Sequence, residues 1–409
     1  MSLSAATHAE VCSLLRFATA ARRPAGGFGE IDNQGWLAPD APLHALQTAR
    51  MTFVFSIATL LGAADAAPLA AHGVTALTTL LRDPLDGGTL SDPRDPTQPK
   101  AAYLANFTAL AAAAGAEAGI EGAEDLVAHA AGLLAERFWS EDEGAVIDEW
   151  ERGFTRPLDY RGANVNMHAV EAFCALGAHT GARVWFERAA RIANKLIGEI
   201  GRRHDWMLPE HFDARWSPRY EYNRDRPDDE FRPYGVTIGH LLEWSRLLLE
   251  LQTEVSQDWL LDASRALYRT GTAAGWEVDG RPGFVYTVDW QGAPVVHARP
   301  HWVALEAVAA AATQLQAFGD PAAASDRRRF AEYADRYLRD REFGSWHHEL
   351  DRENRPVTRM WKGKPDAYHA LTFLLVPELP LASSLTARLR AAQISTHHEG
   401  QQTWLIGQA

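Results

Sequence analysis

The chain has 409 residues, 46% of them hydrophobic, and 53 acidic against 40 basic side chains give a formal net charge of −13. So acidic a surface argues against nucleic acid or an anionic membrane as partner. With only two cysteines, Cys12 and Cys174, a disulfide framework and a cysteine-based zinc site are excluded.

Apolar residues recur at helical spacing. They predict helices over 5–20, 43–61, 68–81, 100–114, 123–137, 163–180, 182–198, 237–251, 257–273, 299–317, 322–339 and 366–375. Strand signals are confined to the connections. Residues 283–290 and 293–296 around Gln291-Gly292 read as a hairpin, and 345–350 with 355–361 around 351–354 read likewise. The loops 82–99 and 217–234, rich in Pro, Asp and Gly, have the length of lids or binding segments. No linker or composition shift divides the chain, so one domain over 1–409 is expected. The N-terminus shows no basic segment followed by an apolar run, and no apolar stretch has the length of a bilayer span. The expectation is a cytoplasmic protein, a monomer or homodimer.

Polar residues interrupt the apolar faces of alternate helices. The second helix carries Arg50 and the fourth Tyr103, and the sixth opens with Asn164 to His168 (NVNMH). The eighth has His240 and Glu243 (GHLLEW), the tenth His301, Trp302 and Glu306 (HWVALEA), and the twelfth Asp366 and His369 (KPDAYHAL). These landmarks lie about one helix pair apart. Groups of this kind inside apolar packing bear a desolvation cost unless they pair or line a wet cavity. A ring of six inner helices around one pocket, wrapped by six amphipathic outer helices, accounts for all of them.

The residue types suit proton transfer. His240 and Glu243, at i and i+3, share a helix face, so the carboxylate is expected to orient the imidazole. Asp366 stands one turn before His369, Asn164 one turn before His168, and Glu306 follows His301. A free histidine titrates at about 6.5, close to what a general acid–base needs at neutral pH. Fourteen tryptophans add apolar faces of the kind that stack on sugar rings. A metal is the competing use of these histidines, with His347 and His348 added. No HExxH and no acidic metal cluster appears, so no metal or other cofactor is expected. No nucleophile elbow and no phosphate loop is found either.

Eight ordered segments carry a resemblance: RMTFVFS, GANVNMHAVEAF, PEHFD, FRPYGVTIGHLLEWSRLLL, GFVYTVDW, HWVALEA, GSWHHELD and GKPDAYHAL. Together, from about Arg50 to about Pro380, they resemble the N-acylglucosamine 2-epimerase superfamily, and within it the mannose isomerase and sulfoquinovose isomerase branch. The resemblance implies an all-α (α/α)6 barrel and a metal-independent sugar isomerase acting on a monosaccharide. It places the acid–base pair on His240 and His369, with Glu243 beside them. Arg50, Tyr103, Asn164, His168, Trp302 and Glu306 become substrate-pocket residues, joined by His348 and Trp361. The implied reaction interconverts D-mannose and D-fructose through a cis-enediolate; a sulfoquinovose isomerase or an aldose 2-epimerase is the alternative. Two departures stand out. Leu46 occupies a place where relatives often have Trp, and Glu230 stands where sulfoquinovose isomerases use Arg to read the sulfonate, with Arg232 close behind.

Overall fold

The helices form where the apolar spacing predicts them, in a computed structural model that describes residues 3–95 and 97–394. They are α1 (Ala5–Thr19), α2 (Ala45–Leu60), α3 (Ala67–Thr78), α4 (Ala102–Glu117), α5 (Ala123–Leu133), α6 (Ala163–Thr180) and α7 (Arg183–Ala193). Then follow α8 (Ile238–Val255), α9 (Asp258–Gly275), α10 (His301–Phe318), α11 (Pro321–Tyr333), α12 (Tyr368–Leu375) and α13 (Leu385–Ile394). Helices α5, α7 and α11 run on into π-helical turns at Leu134–Phe138, Asn194–Gly201 and Ala334–Leu338. The helical spacing of 123–137, 182–198 and 322–339 therefore spans both forms. Helix α13 is not predicted, because its apolar residues are not gathered on one face.

Helix α2 packs on α4, α4 on α6, α6 on α8, α8 on α10, α10 on α12, and α12 back on α2. Each inner helix has an outer partner: α3 on α2, α5 on α4, α7 on α6, α9 on α8, α11 on α10 and α1 on α12. The inner members, such as α4 (AYLANFTALAAAAGAE), are apolar all round, as a helix covered on both sides requires. The result is the (α/α)6 barrel, and a continuous apolar core reaches all of these helices. None of the described helices is long and apolar enough to cross a membrane.

A repeated device fixes where the inner helices begin. Short hairpins follow the outer helices, closed by Arg82–Thr89, Trp139–Val146, Trp276–Phe284 and Arg339–Trp346. Each holds an acid paired with a base just before the next inner helix: Asp83 with Lys100 at 2.5 Å, Glu143 with Arg161 at 2.8 Å, Asp279 with Arg299 at 2.8 Å, and Asp340 with Lys364. All four bases are buried, so removing one partner would leave an uncompensated charge at a cost of about 3–5 kcal/mol. Tyr103, Asn164 and Trp302 come three residues after Lys100, Arg161 and Arg299, and His369 five after Lys364. The pairs thus anchor the helix starts that carry the site.

Antiparallel two-stranded pieces complete the rim at the N-terminal ends of the inner helices. Lys100–Ala101 pairs with Glu149–Trp150, Arg161–Gly162 with His211–Phe212, and Val236–Thr237 with Thr287–Val288. Thr287–Val288 also pairs with Pro294–Val296, the hairpin expected around Gln291-Gly292. The hairpin expected over 345–361 shrinks to one bridge, Leu350–Pro356. On its other edge Glu349–Leu350 pairs with Arg299–Pro300. The backbone N–H groups of Arg359 and Met360 donate to the Glu349 side chain at 2.9 and 2.8 Å.

Candidate active site

The inner helices open their N-terminal ends into a cavity of about 290 Å³. Tyr103, Asn164, Trp302 and His369 are the second residues of α4, α6, α10 and α12, and His240 is the third of α8. Helix N-termini carry about half a positive charge each, so the geometry favours an anion that develops between them. Arg50, Tyr103, Asn164, His168, His240, Glu243, Trp302, His348, Trp361 and His369 all line the cavity. Glu306 does not; it lies buried beneath, in contact with His369.

The two histidines are held alike. His240 Nδ1 lies 2.9 Å from Glu210 Oε1, and His369 Nδ1 lies 3.1 Å from Glu306 Oε1. A carboxylate only accepts, so each ring carries its proton on Nδ1 and keeps Nε2 for other work. Trp302 neighbours both, its ring centre 5.3 Å from His240 and 5.7 Å from His369. Gly239 makes room for this indole: a Cβ there would meet Trp302 Cζ3 at 2.2 Å.

Three expected pairings are corrected. Glu243 does not orient His240, whose Nδ1 belongs to Glu210; Glu243 Oε1 is drawn instead to Arg246 Nη2, one turn on, at 3.4 Å. His168 is held by Glu171 at 3.2 Å rather than by Asn164. His301 does not reach Glu306; its Nδ1 meets the His348 carbonyl at 3.3 Å. His348 lines the cavity but has little left to offer a ligand. Its Nδ1 meets the Trp346 carbonyl at 3.0 Å, and its Nε2 accepts from the Asp366 backbone N–H at 2.8 Å.

Asp366, expected one turn before His369, is in the site, and Glu210, Phe231 and Tyr286, which spacing did not single out, complete it. Asp366 Oδ1 accepts from the backbone N–H groups of Tyr368 (2.9 Å) and His369 (3.2 Å). Its Oδ2 lies 3.6 Å from Arg50 Nη1, 3.7 Å from His369 Nε2 and 3.8 Å from His301 Nε2. Glu210, in the PEHFD segment, had only its motif to announce it, since its histidine partner is 30 residues away. Glu230, Phe231 and Tyr286 close the mouth, and Tyr286 Oη donates to the Glu230 carbonyl at 3.1 Å. Arg232 turns away, pairing with Glu149 at 2.8 Å and lying over Tyr160.

Burial dominates the electrostatics. It presses His168 and His348 down to about 4, which keeps both rings neutral. Burial and the nearby Glu30 push Glu230 up to about 7. Asp366 stays below the usual carboxylate range: burial opposes this, and His369 and Arg50 outweigh it. Glu306 is likewise held at about 2 against its burial, by Arg246 and His369. Among the described residues, Arg50 Nε, Asn164 Oδ1 and His301 Nε2 are buried without a hydrogen-bond partner. Each such group costs about 1–3 kcal/mol, and the cavity wall around them is more polar than apolar, which suits a ligand rich in hydroxyls.

Among the described residues, His168, Glu171 and Glu243 bring three ligand-type atoms within 4.8 Å of one another. Those side chains already engage each other, Tyr368 and Arg246, in a hydrogen-bonded network.

The N-acylglucosamine 2-epimerase family model matches residues 26–373. The D-mannose isomerase of Thermobifida fusca is 43% identical over 93% of this chain and 95% of its own length. That of Pseudomonas cannabina pv. alisalensis is 41% identical over 92% of each. A crystal structure of D-mannose isomerase superposes with a TM-score of 0.84 at 24% identity, covering 91% of this chain and 97% of its own. The cellobiose 2-epimerase from Spirochaeta thermophila gives 0.76 at 22% identity, over 93% and 94%. The chain belongs to the N-acylglucosamine 2-epimerase family.

Proposed function

We propose that the protein is an aldose–ketose isomerase that interconverts D-mannose and D-fructose, with the whole chain serving as one catalytic domain. The observation that carries this reading is the pair of carboxylate-held imidazoles, His240 and His369, beside Trp302 in one cavity. Relatives at 43% and 41% identity over nearly their full lengths are D-mannose isomerases. The cavity, at about 290 Å³, falls at the small end of the roughly 300–1,000 Å³ usual for small-molecule sites, as a monosaccharide needs.

The C2 proton of an open-chain aldose is weakly acidic, and its removal leaves negative charge on O1 and O2 that donors must stabilise. In this reading His369 protonates the ring oxygen to open the pyranose and, with Asp366 beside it, manages the O1 and O2 protons. His240 Nε2 carries the proton from C2 to C1, its orientation fixed by Glu210. Arg50, Asn164 and His168 hold the enediolate oxygens, and Trp302 offers its face to the sugar. Glu230 at the mouth favours a neutral sugar, since a carboxylate facing a sulfonate is repulsive.

The test is incubation with mannose, fructose, glucose, lyxose and sulfoquinovose separately, with products followed by NMR before and after exhaustive chelation. Mannose and fructose should interconvert at an unchanged rate after chelation. Turnover of sulfoquinovose alone, or a loss restored by Mn²⁺, would contradict the reading.

A further inference from the structure

Under the cavity floor, four carboxylates share two guanidiniums. Glu243, Glu250, Glu306, Arg246 and Arg388 are buried, and the Glu171 side chain is 12% exposed. The donors are unevenly distributed. Glu306 takes His369 Nδ1–H on one oxygen and Arg246 Nε–H on the other, at 3.1 and 3.0 Å. Glu171 takes the Tyr368 hydroxyl on one oxygen and His168 Nδ1–H, at 3.2 Å, on the other. Glu250 takes Arg246 on both oxygens, at 3.4 and 3.3 Å, and Arg388 at 3.1 Å. Glu243 receives only Arg246 Nη2, at 3.4 Å, with His168 Nδ1 4.0 Å away. Among the described residues no donor reaches its second oxygen, and Glu243 is the one of the four carboxylates that lines the cavity.

We propose that Glu243 stands as a neutral carboxylic acid whose O–H donates to the sugar oxygen on which negative charge develops. The inference rests on the isomerase reading and assigns Glu243 a role other than orienting a histidine. The charge count leads to it: three carboxylates with good donor sets already outnumber Arg246 and Arg388, and the third guanidinium nearby, Arg50, faces Asp366 at 3.6 Å, so a fourth negative charge on the same floor lacks compensation. The titratable and charged groups around Glu243 are Arg50 on α2, Tyr103 on α4, His168 and Glu171 on α6, Glu306 on α10, Tyr368 on α12, and Arg246 on its own helix. Burial, then Glu306 and Glu171, raise its proton affinity well above the ordinary carboxylate range, and Arg246 and Arg50 only partly oppose this. A neutral acid can donate to an enediolate oxygen, whereas an ionised one would repel it. No net transfer is needed: the O–H leans on the oxyanion as charge grows and returns as the ketose forms.

The direct test is an infrared difference spectrum of the free enzyme at neutral pH, wild type minus Glu243→Gln. It should show the C=O stretch of a protonated carboxyl that shifts in D₂O; other neutral carboxyls cancel. If the Gln variant folds poorly, Glu243→Met keeps a similar volume and serves the same subtraction. In kinetics, Glu243→Gln retains a neutral N–H donor and should lower kcat threefold to tenfold. Glu243→Ala, which removes the donor, should lower it by about 10², as for one oxyanion donor. No carboxyl band in the difference spectrum would overturn the proposal, as would a Gln variant as slow as the Ala variant. A band with no turnover of mannose by the wild type would instead overturn the isomerase reading on which the donor role depends.

Discussion

His240 and His369 are held by the same device but differ in what stands behind it. Glu210, the partner of His240, lies next to the short strand His211–Phe212, and its carbonyl accepts from the Ala163 N–H at 2.9 Å. Among the described residues no arginine or lysine pairs with its side chain. Glu306, the partner of His369, is clamped by Arg246, which also binds Glu250, and Glu250 in turn binds Arg388 of α13. On the cavity side, Asp366 Oδ2 lies 3.7 Å from His369 Nε2. One imidazole thus rests on a carboxylate without a cation. The other belongs to a chain of charges running from the cavity to the end of the barrel. The difference suits a division of labour in which His240 works on carbon-bound protons and His369 on oxygen-bound ones.

The strongest way to break this comparison is to remove each ring. His240→Ala and His369→Ala should each lower kcat by about 10² to 10⁴ while the fold persists, as expected for loss of a general acid–base. Near-wild-type turnover by either folded variant would refute the assignment. Next come the partners. Glu306→Gln turns an NH₂ donor onto one of the two buried donors that Glu306 satisfies, His369 Nδ1–H and Arg246 Nε–H, so it should cost roughly 1–3 kcal/mol in denaturant unfolding as well as activity. Glu210→Gln should lower kcat about tenfold with a much smaller loss of stability, because it strands no cation. Equal stability losses in the two variants would erase the contrast.

The smallest effect concerns the mouth. Glu230, raised to about 7, is ionised above that pH and neutral below it. Its repulsion of an anionic sugar should therefore be present at high pH and fade as pH falls through 7. A sugar sulfonate used as competitive inhibitor should bind up to about tenfold tighter at the lower pH, which inhibition constants across that range would show. Glu230→Gln should flatten this dependence; an unchanged slope in the variant would place the titrating group elsewhere.

The barrel was largely legible because the inner helices are long apolar runs and the outer ones show amphipathic spacing, and because a polar residue in the first turns of each inner helix repeats. Helix α13 lacked such a face. The second hairpin is shorter than expected, a single bridge at Leu350–Pro356, where the proline has no N–H to extend the ladder. The cavity's residues were readable as types at recurring positions, yet their pairings were not. Spacing of i to i+3 suggested Glu243 for His240, but spacing reports only a shared face. It could not reveal that Arg246 lies within reach of Glu243, or that Glu210 arrives from a strand edge. Hydrogen-bond partners from irregular segments leave no periodic trace, and Glu210 and Glu230 both come from such segments.

The most direct measurement is the position of solvent deuterium after turnover of D-mannose in D₂O, read by NMR. If His240 moves a proton between C2 and C1 while His369 handles the oxygens, the proton rests on an exchangeable N–H. Fructose should then appear with deuterium at C1 in the fraction of turnovers in which that N–H exchanges, and His240→Ala should abolish that label. Deuterium at C2 of a mannose and glucose mixture, with no labelled fructose, would contradict the account and make the enzyme an epimerase.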